Sequence, residues 1–109
     1  TPVILDQNSK SIQHISWGLI PHWANDSSIR KSTLNARIES IKEKPSFKDV
    51  VNSRCLVISN GFYEWKWLDA KGKEKQKHLI SLANNELYAY GGIYSGWVER
   101  ETKELIKTY

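Results

Sequence analysis

Cys55-Leu-Val-Ile-Ser-Asn-Gly-Phe-Tyr-Glu-Trp-Lys-Trp-Leu-Asp-Ala-Lys-Gly72 carries two strands and the turns that bound them. Residues 55–59 are a short apolar run with two β-branched members, a composition that fits a pleated, half-buried surface. Asn60-Gly61 punctuates the run. Residues 62–68 are aromatic and strand-like. Asp69-Ala-Lys-Gly72 reads as a turn whose glycine supplies a positive φ, so its flanks form a hairpin. Outward from this stretch, residues 77–82, 87–97 and 104–109 continue the β pattern, with Asn84-Asn85 as another turn. Upstream, residues 1–6 read as a strand. Ile12, His14 and Ser16 alternate with Gln13, Ile15 and Trp17 and lead into the loop Trp17-Gly-Leu-Ile-Pro-His-Trp23. Residues 25–28 are polar and loop-like. Two short helices are expected between these β regions. Ile38 and Ile41 lie three apart among charged residues over 36–44. Ser46, after Pro45, is an N-cap candidate for a second helix through Phe47, Val50 and Val51. The predicted fold is α+β: a mostly antiparallel, strongly twisted sheet, curled toward an incomplete barrel, with two short helices, in one domain over residues 1–109.

With 109 residues the chain can bury one modest core. Its 39% hydrophobic and 26% charged residues exclude a disordered chain. Five tryptophans stand against no methionine, and indoles serve cores, binding faces and base stacking alike. A net charge of +4 permits a phosphate-bearing partner without requiring one. The single cysteine, Cys55, excludes an intramolecular disulfide; a reducing compartment is expected, the bacterial cytoplasm ahead of a nucleus. Apolar runs fall far short of the ~20 residues of a membrane helix, and no membrane partner is expected. The chain lacks an initiator methionine and both its ends fall in apolar β-type runs, so a central piece of a longer protein is expected. Strands cut at both ends leave edges that can pair with a second copy.

Four segments carry candidate chemistry. In Asn35-Ala-Arg-Ile-Glu39, Asn35 is either a helix N-cap or an amide that orients a reactive group. Arg37 offers a planar fork to phosphate or carboxylate. In Asn60-Gly-Phe-Tyr-Glu-Trp65, alternation places Phe62 and Glu64 on one face. Against apolar neighbours Glu64 suits general acid–base work; on a solvated face, or paired with Lys66 or Lys77, it does not. Trp17 and Trp23 are core anchors, or Trp23 is a stacking platform for bases. Cys55, inside an apolar strand, reads as an inert buried thiol. His14, His22 and His78 lack ligand spacing, and no zinc motif, phosphate-cradling glycine loop or nucleophile elbow is present, so neither metal nor cofactor is expected. Lys71, Lys73, Lys75 and Lys77 read as the solvated face of a hairpin.

Taken in order, Trp17-Gly-Leu-Ile-Pro-His-Trp23, Asn35-Ala-Arg-Ile-Glu39, Arg54-Cys-Leu56, Asn60-Gly-Phe-Tyr-Glu-Trp65 and Gly91-Gly-Ile-Tyr-Ser-Gly-Trp97 resemble the SRAP family (SOS-response-associated peptidase). The resemblance implies a DNA damage response protein that captures abasic sites in single-stranded DNA. Its nucleophile is an N-terminal cysteine whose α-amine and thiol condense with the lesion's aldehyde to give a thiazolidine. By the same resemblance Asn35 positions the sugar or the cysteine's amine, and Glu64 is the acid–base residue. Arg37 holds phosphate, and Trp23 and Trp65 line the DNA groove. The family's N-terminal cysteine and a later histidine are absent from these residues, so the chain is expected to be half of an active site and inactive alone. Asn60 stands where relatives often carry aspartate, which removes a charge near Glu64. Two other readings remain open: a cysteine peptidase that processes its own leader, and a noncatalytic single-strand-binding module.

Overall fold

A computed structural model describes residues 1–109. Eight strands form: β1 (Pro2–Leu5), β2 (Asn8–His14), β3 (Arg54–Ser59), β4 (Phe62–Trp67), β5 (Lys75–Ile80), β6 (Tyr88–Ile93), β7 (Ser95–Val98) and β8 (Leu105–Thr108). All pairings between these strands are antiparallel, and one isolated bridge, Ser16–Thr108, is parallel. They build a four-stranded sheet in the order β2-β1-β3-β6 and two separate ribbons, β4–β5 and β7–β8. The mostly antiparallel architecture is therefore as expected.

Two parts of the expectation need correction. The strands do not close into a barrel. Although β4 follows β3 directly, it pairs only with β5, and β7 leaves β6 at Tyr94 to pair with β8. The two expected helices are also absent. Residues 36–44 form successive turns, with backbone bonds Ser40 N–H to Arg37 O and Glu43 N–H to Ser40 O. Ile38, half of the proposed apolar stripe, is 85% exposed. A segment this short does not repay helix nucleation unless packing rewards it. The second helix shrinks to a 3-10 turn, Lys48–Val50, capped by Phe47 rather than Ser46 and with no side-chain cap. Phe47 is buried, and its burial sets the local path. A further 3-10 helix, Ser27–Ser32, begins inside the stretch 25–28 read as loop, with the Asp26 carboxylate accepting the Ser28 N–H.

Strand alternation builds the core. Val3 and Leu5 of β1 and Cys55 and Val57 of β3 point inward, joined by Ile15 and Tyr94. Leu56, between the two inward residues of β3, is exposed. A second cluster joins Ile20 and Ala24 to Trp97, whose indole N–H donates to the Ala24 carbonyl at 2.8 Å. The β4–β5 ribbon differs: every one of its strand residues is exposed. Gly72, at φ 64°, makes the expected turn possible. The radius of gyration is 16.1 Å, against ~13 Å for a compact chain of this length. The accessible surface is 8270 Å², against ~6,200 Å² for a monomer of this mass. The ribbon is where that excess is most evident.

Candidate functional site

The loop from Trp17 to Trp23 is fixed by hydrogen bonds to the segment that precedes Asn35. Gly18, at φ 95°, lets the chain turn close under Arg30, and Arg30 Nη2 donates to the Trp17 carbonyl at 2.6 Å. The Trp17 indole N–H donates to the Leu34 carbonyl at 2.6 Å. Buried Thr33 donates to the Leu19 carbonyl at 2.6 Å, while the Leu19 N–H returns to the Thr33 carbonyl at 3.3 Å. Thr108 of β8 accepts the Ile20 N–H at 2.7 Å in the core. These bonds hold Leu34 against the loop and present Asn35 immediately beyond it. Trp17 ties the loop to Leu34 through its indole bond, but at 49% exposed it is not the core anchor that the sequence offered.

An open cleft of about 1130 Å³ runs from this anchored segment across the sheet to β4. Asn35 and Glu64 both line it, although far apart in sequence. Its floor includes Gly91 and Gly92 of β6, and Tyr90 and Phe62 form part of its wall. Arg37, Trp23 and Trp65 are not among the residues that line it. Arg37 is exposed on the turns that follow Asn35, Trp23 is 46% exposed, and Trp65 lies on the face of the ribbon opposite to Glu64. The structure therefore brings two of the five sequence candidates into one cleft and leaves the other three outside its lining.

Glu64 shares its face with Phe62 as alternation requires, but also with Lys66 and, on β5, with Gln76, His78 and Ile80. Its direct cross-strand partner is His78. It is exposed, and its Oε1 accepts the Trp65 N–H at 3.3 Å. The apolar enclosure that the aromatic run invited is not formed. Lys77 is not its partner: the ammonium lies 4.0 Å from the Tyr63 ring centroid, on the other face.

Cys55 also borders the cleft but faces the core and is 5% exposed. Burial first, and then the negative charge of Asp6, push its thiol up to about 11. A neutral thiol is a poor nucleophile, in keeping with the inert role read from its apolar strand. Asp6 is itself held below the usual carboxylate range, first by the Arg54 backbone N–H at 3.1 Å and also by the Tyr94 hydroxyl, which donates at 3.1 Å.

Sequence reasoning missed an aromatic wall. Tyr88 and Tyr90 alternate on β6, their hydroxyls 2.9 Å apart and their rings edge-to-face at 5.2 Å, and Phe62 meets Tyr90 edge-on at 6.3 Å. Desolvation first, then the hydrogen bond shared with Tyr88, push the Tyr90 hydroxyl up to about 12. The alternation Tyr88-Ala-Tyr90 is visible in the sequence, but its place beside Phe62 depends on the long-range pairing of β6 with β3.

No cluster of His, Cys, Asp or Glu is arranged to hold a metal ion, and no helix is long and apolar enough to cross a membrane.

The family model described as SOS response associated peptidase (SRAP) matches residues 1–109. The chain is 42% identical over 96 residues to the Bacillus subtilis abasic site processing protein YoqW, covering 87% of this chain and 42% of that protein. It is 36% identical over 97 residues to the Saccharomyces cerevisiae abasic site processing protein YMR114C, covering 86% of this chain and 25% of that one. A crystal structure of a protein from Bacteroides thetaiotaomicron is similar at a TM-score of 0.84 and 37% identity, over 98% of this chain and 46% of that one. The chain thus spans less than half the length of these relatives. With the model matching from end to end, this chain belongs to the SOS response associated peptidase (SRAP) family.

Proposed function

We propose that this chain supplies the central part of a site that captures abasic sites in single-stranded DNA. The observation that carries the reading is the shared cleft: the anchored loop presents Asn35 at one side and β4 presents Glu64 at the other. The relatives named for abasic site processing support the same chemistry. In this reading Asn35 orients the lesion's sugar or the amine that attacks it, through the two donors and the acceptor of its amide. Glu64 moves protons during condensation. Arg37 contacts phosphate from the cleft's margin, while Trp23 and Trp65 stack on bases outside it.

A thiazolidine needs an amine and a thiol on adjacent carbons, which only an N-terminal cysteine offers. The single cysteine of the chain, Cys55, has its nitrogen in a peptide bond and its thiol in the core. The 109 residues therefore bind the lesion without forming the covalent link. Polarisation with labelled abasic, intact single-stranded and duplex oligonucleotides tests this, alongside a denaturing gel. The expected result is a preference for the abasic strand that Asn35→Ala removes, weaker binding with Arg37→Ala, and no shifted band on the gel. Equal affinity for duplex and single strand, or an abasic-dependent covalent band, would overturn the reading.

A further inference from the structure

The four-stranded sheet has two edges, and they are finished differently. At one, β2 carries Lys10 among polar residues, and its register with β1 is irregular between Val3 and Leu5. Charge and irregularity are how sheets discourage further pairing. At the other, β6 reads Tyr88-Ala-Tyr-Gly-Gly-Ile93, with no charge, no proline and an unbroken register against β3. The Tyr94 N–H donates to the Ser53 carbonyl at 3.0 Å. Alternation therefore turns the N–H and C=O groups of Tyr88, Tyr90 and Gly92 towards β3, and those of Ala89, Gly91 and Ile93 away from it. None of these outward groups has a backbone partner. Ala89 and Gly91 are exposed, and a Cβ added to Gly91 would meet nothing within 4 Å.

We propose that the outer edge of β6 pairs with the same edge of a second copy, antiparallel and about a two-fold axis at Gly91. In this register Gly91 faces Gly91 of the second copy and Ala89 faces its Ile93, so every outward group of both strands finds a partner. An axis at Tyr90 would leave Ile93 without a strand partner. Between these pairs, each Tyr90 stands opposite a Gly92, which has no side chain to meet the ring, so an aromatic covers a glycine twice over. No like charges meet, because the strand has none. This self-matching selects a second copy over an unrelated extended peptide. The pairing takes nothing from the DNA reading above, but its consequence does. Gly91 and Gly92 floor the cleft, so the second copy covers the place given to the lesion, and the paired form is closed to DNA.

Sedimentation of the 109-residue chain over a wide range of concentration, with amide hydrogen exchange at each end of it, tests the pairing. The expected result is a monomer–dimer equilibrium. The amides of Ala89, Gly91 and Ile93 should gain protection as concentration rises, while those of Tyr90 and Gly92, already turned to β3, should not change. Gly91→Pro removes an outward N–H that the monomer does not use and should weaken the dimer about tenfold or more. Ala89→Lys charges the edge, keeps every backbone N–H and should also weaken it; this variant decides the matter if the proline variant does not fold. A monomer up to about 1 mM, a dimer whose outward amides stay unprotected, or a dimer that Ala89→Lys leaves intact would overturn the proposal. Added abasic single strand should shift the chain towards monomer, and a strand bound by an undissociated dimer would overturn the closure of the cleft. A strand that does not bind at all overturns the DNA reading and leaves the pairing, measured without DNA, standing.

Discussion

The four-stranded sheet and the β4–β5 ribbon are built from the same kind of residue and are held in different ways. In the sheet, β1 and β3 turn Val3, Leu5, Cys55 and Val57 into one core. In the ribbon, aromatic residues stand exposed: Phe62 on the Glu64 face, Tyr63, Trp65 and Trp67 on the other. What holds it is local: the Gly72 turn, the ladder from Phe62–Ile80 to Trp67–Lys75, and lysines laid over rings. A two-stranded ribbon by itself is marginal in water. The candidate cleft joins the two regimes, with Asn35 on the anchored side and Glu64 on the ribbon. One wall is fixed by burial, and the other is free to adjust to what enters.

The sharpest way to break this comparison is a matched pair of truncations followed by denaturant unfolding. Leu5 is 1% exposed at the centre of the sheet, and Leu5→Ala should cost about 2–5 kcal/mol. Tyr63→Ala on the ribbon removes a larger side chain and should cost less than about 1 kcal/mol, the scale of a cross-strand pair. Comparable losses would mean that the ribbon is as firmly packed as the sheet.

A smaller effect separates the regions in alkali. Cys55 titrates near 9.0 when unfolded and at about 11 in the core. Its folded value is raised, so its contribution is complete below pH 9 and is lost as pH rises toward 11. Stability should therefore decline across that window, and Cys55→Ala should make the decline shallower. The raised Tyr94 hydroxyl adds to the same slope from the same core. A slope unchanged by Cys55→Ala would show that the thiol is not buried as described.

Much of the β pattern was legible because its causes are local. The short apolar, β-branched run of residues 55–59 and the glycine of Asp69-Ala-Lys-Gly72 favour a strand and a turn on local grounds. The helices were not legible, because two isoleucines three apart form a helix only if something covers them, and Ile38 remains uncovered. Closure was equally out of reach, since the partner that each strand chooses depends on contacts distant in sequence. The site shows the same division. Asn35 and Glu64 were singled out by motif and do share a cleft, whereas the Tyr88–Tyr90 wall emerges only once β6 lies beside β3.

The central claim is that a damaged single strand lies between the anchored Asn35 loop and β4. Titration of isotopically labelled protein with an abasic single-stranded oligonucleotide, followed by nuclear magnetic resonance, tests it most directly. The account predicts shifts in the Asn35 side-chain amide, in Gly91 and Gly92, and in the Gly61–Glu64 backbone, with the β7–β8 ribbon unmoved. Shifts that gather on β7–β8 and leave Asn35 and Glu64 unchanged would contradict it.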